Sequence, residues 1–280
     1  MTSHTTRDLE ALYMLYTWIE DLETEKGLDR YRRTVVFFKE KLFNHPWVKE
    51  LTGSRKHVVV LDICGGCGVG GLALARALMD QGIDVDLIVN DLRKSPLEYA
   101  RRYGEELLGK RIKTLYGDAT KLYRERVKAD IALLYGYSTP HFSPWDMVKL
   151  ISSTARILEP NGLFIVEEAD SVYTVFYKVG YKEFLAENIE EDKAVISIHA
   201  GYNVKTGMFK RLIIDLLSKN RMVAEIHFWN TAGVGALLWT FFQDIDYIPY
   251  NDLVRGLLIA RNPRKVNPEE YQLEPTILKK

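Results

Sequence analysis

A glycine-rich loop that begins with a single carboxylate is the part of this sequence best suited to bind a ligand. Residues 62–71 read Asp-Ile-Cys-Gly-Gly-Cys-Gly-Val-Gly-Gly and follow the apolar run 58–61. Glycines let the backbone approach a ligand closely, and a following helix presents free N–H groups. The glycines fit G-x-G-x-x-G, and Asp91 lies 20 residues beyond Gly71. That spacing is typical of a dinucleotide site, so an NAD-dependent dehydrogenase is one interpretation.

Asp62 favours a different ligand. It stands at the predicted strand end, immediately before the glycines. A carboxylate there would repel a pyrophosphate and would attract a ligand that carries an ammonium and a sulfonium. S-adenosylmethionine has both cations and no phosphate, so the sequence favours it over NAD.

The loop resembles the first motif of the class I S-adenosylmethionine-dependent methyltransferases. Residues 61–68 are similar to that family's pattern D-x-G-x-G-x-G, with one departure: Cys64 stands where the family usually has its first glycine. Four further segments within about residues 55–170 resemble later motifs of the family in the same order. They are 89–92, 117–120, 129–135 and 157–164.

The resemblance implies a role for each of these segments. Asp91 would accept hydrogen bonds from both ribose hydroxyls, Asp118 would contact the adenine amine, and the end of strand four would face the methionine part. Taken alone, an aspartate such as Asp91 is more often a solvated carboxylate or a cap, and Asp118 suits a turn former. The predicted cofactor-binding residues are Asp62, Cys64, Gly65, Gly66, Gly68, Asn90, Asp91, Leu92, Gly117, Asp118, Ala119, Tyr135 and Gly136.

Two residues after strand four are the candidates for the reaction itself. Tyr137 and His141 follow a strand whose carboxyl end borders the acceptor in this kind of fold. His141 is either a general base or a packed histidine. Glu167, Glu168 and Asp170 follow strand five and are candidates to bind a cationic acceptor, with solvent exposure as the alternative for at least one of them.

The two cysteines, Cys64 and Cys67, form a C-x-x-C within the loop. This spacing occurs in redox and metal sites. The chain has no second cysteine pair to complete a zinc site, so packing within the loop is the favoured interpretation and no metal is predicted.

Strands and helices alternate in the part of the chain that carries the motifs. Apolar runs at 58–61, 85–89, 112–115, 131–134 and 163–166 are separated by helical patterns. The alternation predicts a doubly wound α/β fold with a mostly parallel, seven-stranded sheet and helices on both faces.

Segments on either side of these motifs are predicted to cover the sheet. Residues 1–52 form an N-terminal helical cover, 53–264 the Rossmann-like domain with an antiparallel flap inserted after strand five at about 171–230, and 265–280 a surface tail. Aromatic residues of the N-terminal part either cover the cofactor or pack in the core: Tyr13, Tyr16, Trp18, Phe37 and Phe38.

Within the flap, residues 174–189 are predicted to be helical, and three β-like runs follow. In the flap, Tyr202, His227 and Trp229 either cover the cofactor or pack in the core. The three runs are 195–199, 209–217 and 222–229, and the sheet is completed by strands at 245–248 and 253–260.

Charge and hydropathy limit the classes of partner. The 280 residues contain 38 Lys and Arg and 38 Asp and Glu, so the formal net charge is zero and general nucleic-acid binding is not expected. The polar start and the lack of an 18-residue apolar run predict neither a signal peptide nor a membrane span, and hence a cytoplasmic protein. We expect methylation of a small molecule; protein or RNA methylation and a non-catalytic cofactor-binding subunit are the alternatives.

Overall fold

The computed structural model describes residues 6–15 and 21–279. Helices precede the first strand, and from there strands and helical segments alternate up to the end of the fifth strand. The strands are β1 (His57–Ile63), β2 (Asp84–Asp91), β3 (Lys113–Tyr116), β4 (Ala129–Leu134), β5 (Leu158–Ala169), β6 (Phe184–Glu190), β7 (Lys193–Asn203), β8 (Met208–Asp215), β9 (Arg221–Ile226), β10 (Phe242–Pro249) and β11 (Arg255–Pro263). The helices are α1 (Thr6–Leu15), α2 (Glu25–Glu40), α3 (Pro46–Gly53), α4 (Val69–Met79), α5 (Lys94–Leu108), α6 (Pro144–Ile157), α7 (Thr231–Phe241), α8 (Pro268–Gln272) and α9 (Thr276–Lys279).

The larger sheet has seven strands in the order β10-β11-β5-β4-β1-β2-β3. Strands β1 to β5 are parallel, β11 is antiparallel to β5, and β10 is antiparallel to β11. The predicted fold class is therefore confirmed, and each predicted strand of this sheet overlaps an observed one. Because β1 pairs with β2 on one side and β4 on the other, the carboxyl ends of these strands border the crevice where such sheets bind ligands.

Apolar residues of β1 are buried on both faces of the sheet. Val58 and Val60 belong to a core cluster with α2 and α4, while Leu61 and Ile63 belong to one with α6 and α7. This two-sided burial is what a continuous apolar run in a parallel strand predicts.

The flap is an antiparallel sheet in the order β6-β7-β8-β9. The helix predicted for 174–189 is wrong in its second half: a π-helical segment spans Val172–Val179, and β6 follows. The turn at Glu191 and Asp192 joins β6 to β7, and pairing with β7 outweighs the helical spacing of this segment. The ends of the flap lie together, since Ser171 N donates to Trp229 O at 2.8 Å.

Two helix starts also differ from the sequence prediction. The helix assigned to Ser95-Pro96 begins at Lys94, with Arg93 as its N-cap residue. The last long helix begins at Thr231 rather than at 236, because the Asn230 side chain caps it by accepting from Gly233 N. By contrast Ser143 caps α6 as predicted.

The N-terminal helices have two different environments. Helix α2 packs against α4 and buries Tyr31, Val35 and Phe38 in the main core. Helix α1 instead packs its Leu12 and Leu15 against the flap. The predicted helical residues Tyr16, Trp18 and Ile19 lie outside the described residues.

Part of the predicted surface tail is docked on the domain. The Tyr271 ring packs against Phe241 with 5.2 Å between centroids, and Gln272 Nε2 donates to Thr120 O at 3.1 Å. These contacts place α8 beside α6 and α7. No helix among the described residues is long and apolar enough to cross a membrane.

Candidate active site

The loop after β1 turns sharply through three left-handed residues. Cys64 has φ of +55°, Gly66 +55° and Gly68 +84°. Glycine adopts this conformation freely whereas a side chain strains it, which gives a physical reason for the family's glycine at the position of Cys64. The loop is held by Gly65 N, which donates to Asn90 O at 2.9 Å, and by Gly68 N, which donates to Gly65 O at 2.8 Å.

Asp62 is completely buried beneath this loop. Its Oδ2 accepts from Gly71 N at 2.8 Å, while Oδ1 has no hydrogen-bond partner among the described residues. A Cβ on Gly65 would lie 2.5 Å, and one on Gly71 2.7 Å, from Asp62 atoms. Burial raises the Asp62 pKa to about 7. Because its own carboxylate occupies the start of α4, this helix end is a poor pyrophosphate site, and an unpartnered buried oxygen suits a ligand ammonium.

Asp91 lies at the end of β2 and is 5% exposed. Its Oδ2 accepts from Gly66 N at 2.8 Å, and its Oδ1 accepts from Arg93 N at 2.8 Å and from Arg93 Nε at 3.3 Å. The carboxylate thus connects the glycine loop to the start of α5. Two ribose hydroxyls would have to share or displace the Arg93 side chain.

Asn90 and Asp118 shape the neighbouring strand ends. Asn90 Nδ2 donates to Leu115 O and Gly117 O, both at 3.0 Å, and so ties β2 to the turn after β3. Asp118 Oδ1 accepts from Thr120 N at 3.0 Å, as a turn former does. The structure therefore gives Asp118 the turn role that the sequence left open, with its carboxylate still at the pocket wall.

A pocket of about 70 Å³ lies at the ends of β1, β2 and β3. It brings together six of the predicted cofactor residues, namely Cys64, Asp91, Leu92, Gly117, Asp118 and Ala119. Tyr13 and Arg93 close it, with the guanidinium 3.7 Å from the ring centroid. The volume is small for a nucleoside, since ligand pockets commonly measure about 300–1,000 Å³. Tyr13 and Arg93 are therefore the side chains that limit the room for a nucleoside here.

Two further predicted cofactor residues, Tyr135 and Gly136, follow directly after β4 and lie among polar groups. Gly136 N donates to Glu167 Oε2 at 2.8 Å, and Tyr250 donates its hydroxyl proton to Glu167 Oε1 at 2.6 Å. An Arg30 nitrogen lies 3.3 Å from the Cβ position at Gly136. Burial raises the Tyr135 pKa to about 12, so its phenol stays protonated.

A second cavity, of about 600 Å³, lies between this sheet edge and the flap. Tyr137 and His141 line it, and His141 also lines the smaller pocket. Tyr13 is likewise shared by both. Burial, followed by the Glu167 charge, raises the pKa of Tyr137 well above its usual range, so Tyr137 holds its proton and can donate it in a hydrogen bond.

Of the three acidic residues predicted to follow strand five, Glu167 and Glu168 lie within the end of β5 and Asp170 follows it directly. Glu167 and Glu168 are 4% and 1% exposed, and burial raises the Glu168 pKa to about 7. Asp170 accepts from Tyr173 N at 2.8 Å. None of the three lines the cavity beneath the flap, so their placement does not support the predicted contact with a cationic acceptor.

The contacts of the two cysteines and of His227 and Trp229 in the flap indicate packing roles rather than chemical ones. Cys64 and Cys67 form no disulfide within the described residues, and burial raises the Cys64 pKa well above its usual value, which disfavours the reactive thiolate. Trp229 is buried and donates from Nε1 to Thr139 O at 3.1 Å. His227 N donates to Pro140 O at 2.9 Å. Both residues fasten the flap to the loop that carries His141.

Comparison with known proteins identifies the domain. Residues 60–162 match the family model described as a methyltransferase domain. This match covers β1 through the start of β5, where the glycine loop and the acidic strand ends lie. These residues form a methyltransferase domain, and its fold is that of the class I S-adenosylmethionine-dependent methyltransferases. The protein is thus an enzyme of this class, and S-adenosylmethionine is its cofactor.

Solved structures share the methyltransferase's fold at low sequence identity. The PH0226 protein of Pyrococcus horikoshii OT3 has 17% identity and a TM-score of 0.61, over 90% of this chain and 98% of that one. An S-adenosylmethionine-dependent methyltransferase of Clostridium acetobutylicum ATCC 824 has 13% identity and a TM-score of 0.56, over 84% of this chain and 99% of that one. CalS10 of Micromonospora echinaspora, an amino pentose methyltransferase, has 14% identity and a TM-score of 0.50, over 91% of this chain and 96% of that one. A search of curated protein sequences gave no match.

Four residues of the methyltransferase's site were not predicted as site residues. Arg30 and Tyr13 come from the N-terminal helices, Arg93 follows Asp91, and Tyr250 follows β10. Tyr13, Arg30 and Tyr250 meet the strand ends only through tertiary packing, so no local spacing marks them. Arg93 stands two residues after Asp91, and that position was a local signal. The helical spacing of Tyr13 was a signal, but it favoured core packing over cofactor contact.

Proposed function

We propose that the methyltransferase methylates a small molecule bound in the cavity beneath the flap. The observation that carries this proposal is that His141 and Tyr13 line both this cavity and the pocket at the predicted cofactor-binding residues. Two adjoining pockets with a shared wall suit an enzyme that brings two substrates together. A cavity of about 600 Å³ is also the size that small-molecule sites have.

The strand ends would hold the cofactor by its charged and hydrogen-bonding groups. Asp62 Oδ1 would face the ammonium, Arg30 the carboxylate, Asp91 the ribose and Asp118 the adenine amine. When bound, S-adenosylmethionine supplies a methyl group already activated by its sulfonium. The residues of this chain then have to position the acceptor about 3 Å from that carbon and exclude water.

The transfer is an in-line displacement. A lone pair of the acceptor would form the new bond to the methyl carbon while the carbon–sulfur bond breaks, and the electron pair of the broken bond would go to sulfur. A hydroxyl or ammonium acceptor must also lose a proton. His141 is the candidate to take it because it lies where both pockets meet. Tyr137, which keeps its proton, would orient the acceptor by a hydrogen bond.

Relatives give limited support for a small acceptor. CalS10, with the same fold, is an amino pentose methyltransferase involved in calicheamicin biosynthesis. The neutral net charge of the present chain also disfavours a nucleic-acid acceptor.

A screen for methylated products tests the proposal. The protein is incubated with labelled S-adenosylmethionine and either a metabolite library, tRNA or a protein extract, and products are followed by mass. Methylation of a compound that fits the cavity is expected. Methylation confined to tRNA or protein would contradict the small-molecule proposal, and cofactor binding without any transfer would indicate a regulatory subunit.

A further inference from the structure

Arg211 is a buried cation in the wall of the cavity beneath the flap. It lies on β8, is 5% exposed, and shares the cavity with Tyr137 and His141. A guanidinium does not lose its proton at any ordinary pH. Its charge therefore persists in a site largely removed from water, where a cation is unfavourable unless it has a partner.

The hydrogen bonds of Arg211 all go to neutral groups. Nε donates to the Ser197 hydroxyl at 2.8 Å, and Nη2 donates to the Ser197 carbonyl oxygen at 3.1 Å. Nη1 donates to the Tyr181 hydroxyl and to the Lys182 carbonyl oxygen, both at 3.0 Å. These four bonds leave one of the five N–H groups over. In the described part of the chain, no carboxylate lies within 4 Å of this guanidinium.

The charged neighbours of Arg211 do not neutralise it directly. Lys182 also lines the cavity and is positively charged, but its side chain is exposed. Glu187 lines it too, but it is exposed and hydrogen-bonds to the Ser197 hydroxyl rather than to Arg211. Two cations and one carboxylate leave this wall with a net positive charge.

The rest of the cavity wall is mostly apolar. Ile213, Ala224, Ile226 and Phe228 lie on or directly after β8 and β9 beside Arg211, and Leu12 of α1 joins them. A ligand that fills the cavity must therefore have an apolar body as well as any charged group.

We propose that the methyl acceptor is an apolar molecule with one oxyanion group, a carboxylate or its equivalent, which Arg211 binds. The inference rests on the proposed function, because it assigns a chemical class to the acceptor of that cavity. The oxyanion would accept a hydrogen bond from the remaining N–H of Arg211, and its negative charge would offset the positive charge of the guanidinium. Anchoring at Arg211 would direct the nucleophilic end of the acceptor to the His141 side.

A matched pair of fluorescent probes tests this without knowledge of the acceptor. 1-Anilinonaphthalene-8-sulfonate has an apolar body and an oxyanion, and N-phenyl-1-naphthylamine has the same body without charge. The wild type should bind the anion at least tenfold more tightly than the neutral probe. Arg211→Gln should weaken the anion at least tenfold and change the neutral probe less than twofold.

Three variants control this measurement. Arg221→Gln removes an exposed arginine of the same flap and should change neither probe. Ala224→Trp, in the cavity wall, should displace both probes and so locate them there. Arg211→Lys keeps the charge but not the guanidinium geometry, and should keep at least a threefold preference for the anion. Circular dichroism establishes that each variant is folded.

Several outcomes would overturn the proposal. Equal affinity of the wild type for the two probes would show that the charge is not used. Equal losses of both probes in Arg211→Gln, or the same loss in a folded Arg211→Lys, would show that Arg211 only holds the flap. Calorimetry with S-adenosylhomocysteine separates this result from the proposed function: failure of the wild type to bind it would refute the cofactor site while leaving the probe result intact.

Discussion

The cofactor end and the flap end of this methyltransferase are built differently. At the cofactor end, buried carboxylates are held by backbone N–H groups: Asp62 by Gly71 N, Asp91 by Gly66 N and Glu167 by Gly136 N. At the flap end, side chains on strands form the cavity wall. A ligand common to a whole family suits a backbone cradle, whereas a wall of side chains can change without altering the fold.

The surface of the flap sharpens this contrast. Most large apolar side chains that are exposed in the described residues belong to it. They are Val172, Tyr173, Phe176, Tyr177, Val179, Phe184, Leu185, Ile189, Tyr202, Val204, Leu216, Leu217 and Val223. The sheet domain instead buries its apolar residues in two large clusters. We therefore expect the flap to depend more on the α1 contact and on the proposed ligand for its order, and the two regions to respond differently to substitution and to ligands.

The largest expected effect is at the backbone cradle. Gly71→Ala places a Cβ 2.7 Å from Asp62 and 2.9 Å from Leu87 Cδ1, both in the closed core. We expect overpacking of about 1–3 kcal/mol in unfolding free energy and, since Asp62 must shift, at least a roughly hundredfold loss in S-adenosylhomocysteine affinity. Calorimetry and thermal unfolding measure both. Gly53→Ala, where a Cβ meets nothing within 4 Å, is the control and should change neither.

The next largest effect is expected when Asp91, the carboxylate proposed to bind the ribose, is removed. Asp91→Ala deletes the carboxylate that would accept two hydroxyls, and charged hydrogen bonds contribute roughly 1.5–3 kcal/mol each. Affinity for S-adenosylhomocysteine should fall about a hundredfold by calorimetry. Asp118→Ala removes one proposed contact and should have a smaller effect. If the ranking is reversed, the ribose and adenine assignments are wrong.

His141 should affect the reaction but not cofactor affinity. Once an acceptor has been identified, His141→Ala should lower kcat at least tenfold if His141 takes the proton, because general bases contribute roughly 10²–10⁴-fold to the rate. S-adenosylhomocysteine affinity should stay within twofold. A variant that changes only the acceptor KM would show that His141 shapes the loop instead.

The Asp62 carboxyl predicts a pH dependence of cofactor affinity. Its pKa of about 7 exceeds the ordinary value of 3.8, so the free site is mostly protonated at pH 6 and mostly ionised at pH 8. The ligand ammonium needs the ionised form, and affinity should therefore rise about tenfold over that range. Stability of the free protein should move the other way, falling as pH rises from about 4 to 7 because the unfolded state ionises first. Asp62→Asn should remove both trends; a flat wild-type profile would count against the ammonium contact.

The smallest expected effect is ligand protection of the covers. Saturation with S-adenosylhomocysteine should slow proteolysis and hydrogen exchange in α1 and the flap by a few-fold, because α1 touches both the cofactor pocket and the flap. Protection that is confined to the central sheet would show that the covers do not close on the cofactor.

The sheet and the cofactor loop could be predicted from sequence because their signals are local. Each strand is an apolar run bounded by turns, and residues 62–71 concentrate the glycines that the left-handed turn needs. The positions of Arg30 and Tyr250 could not be predicted, since only tertiary packing brings them to the strand ends, and Tyr13 was predicted only as one of two alternatives. Strand β6 was missed because its 7 residues are mostly exposed on both faces and carry no alternating pattern.

The hydrogen bond from Ser171 N to Trp229 O closes the flap at its base. The insertion therefore leaves and re-enters the sheet domain at nearly one point, and its length can change without moving β5 or α7 apart. The part of this enzyme that we propose to bind the acceptor is in that sense exchangeable: a different flap, joined at 171 and 229 and keeping the Trp229 contact with Thr139, would give the same domain a new cavity wall.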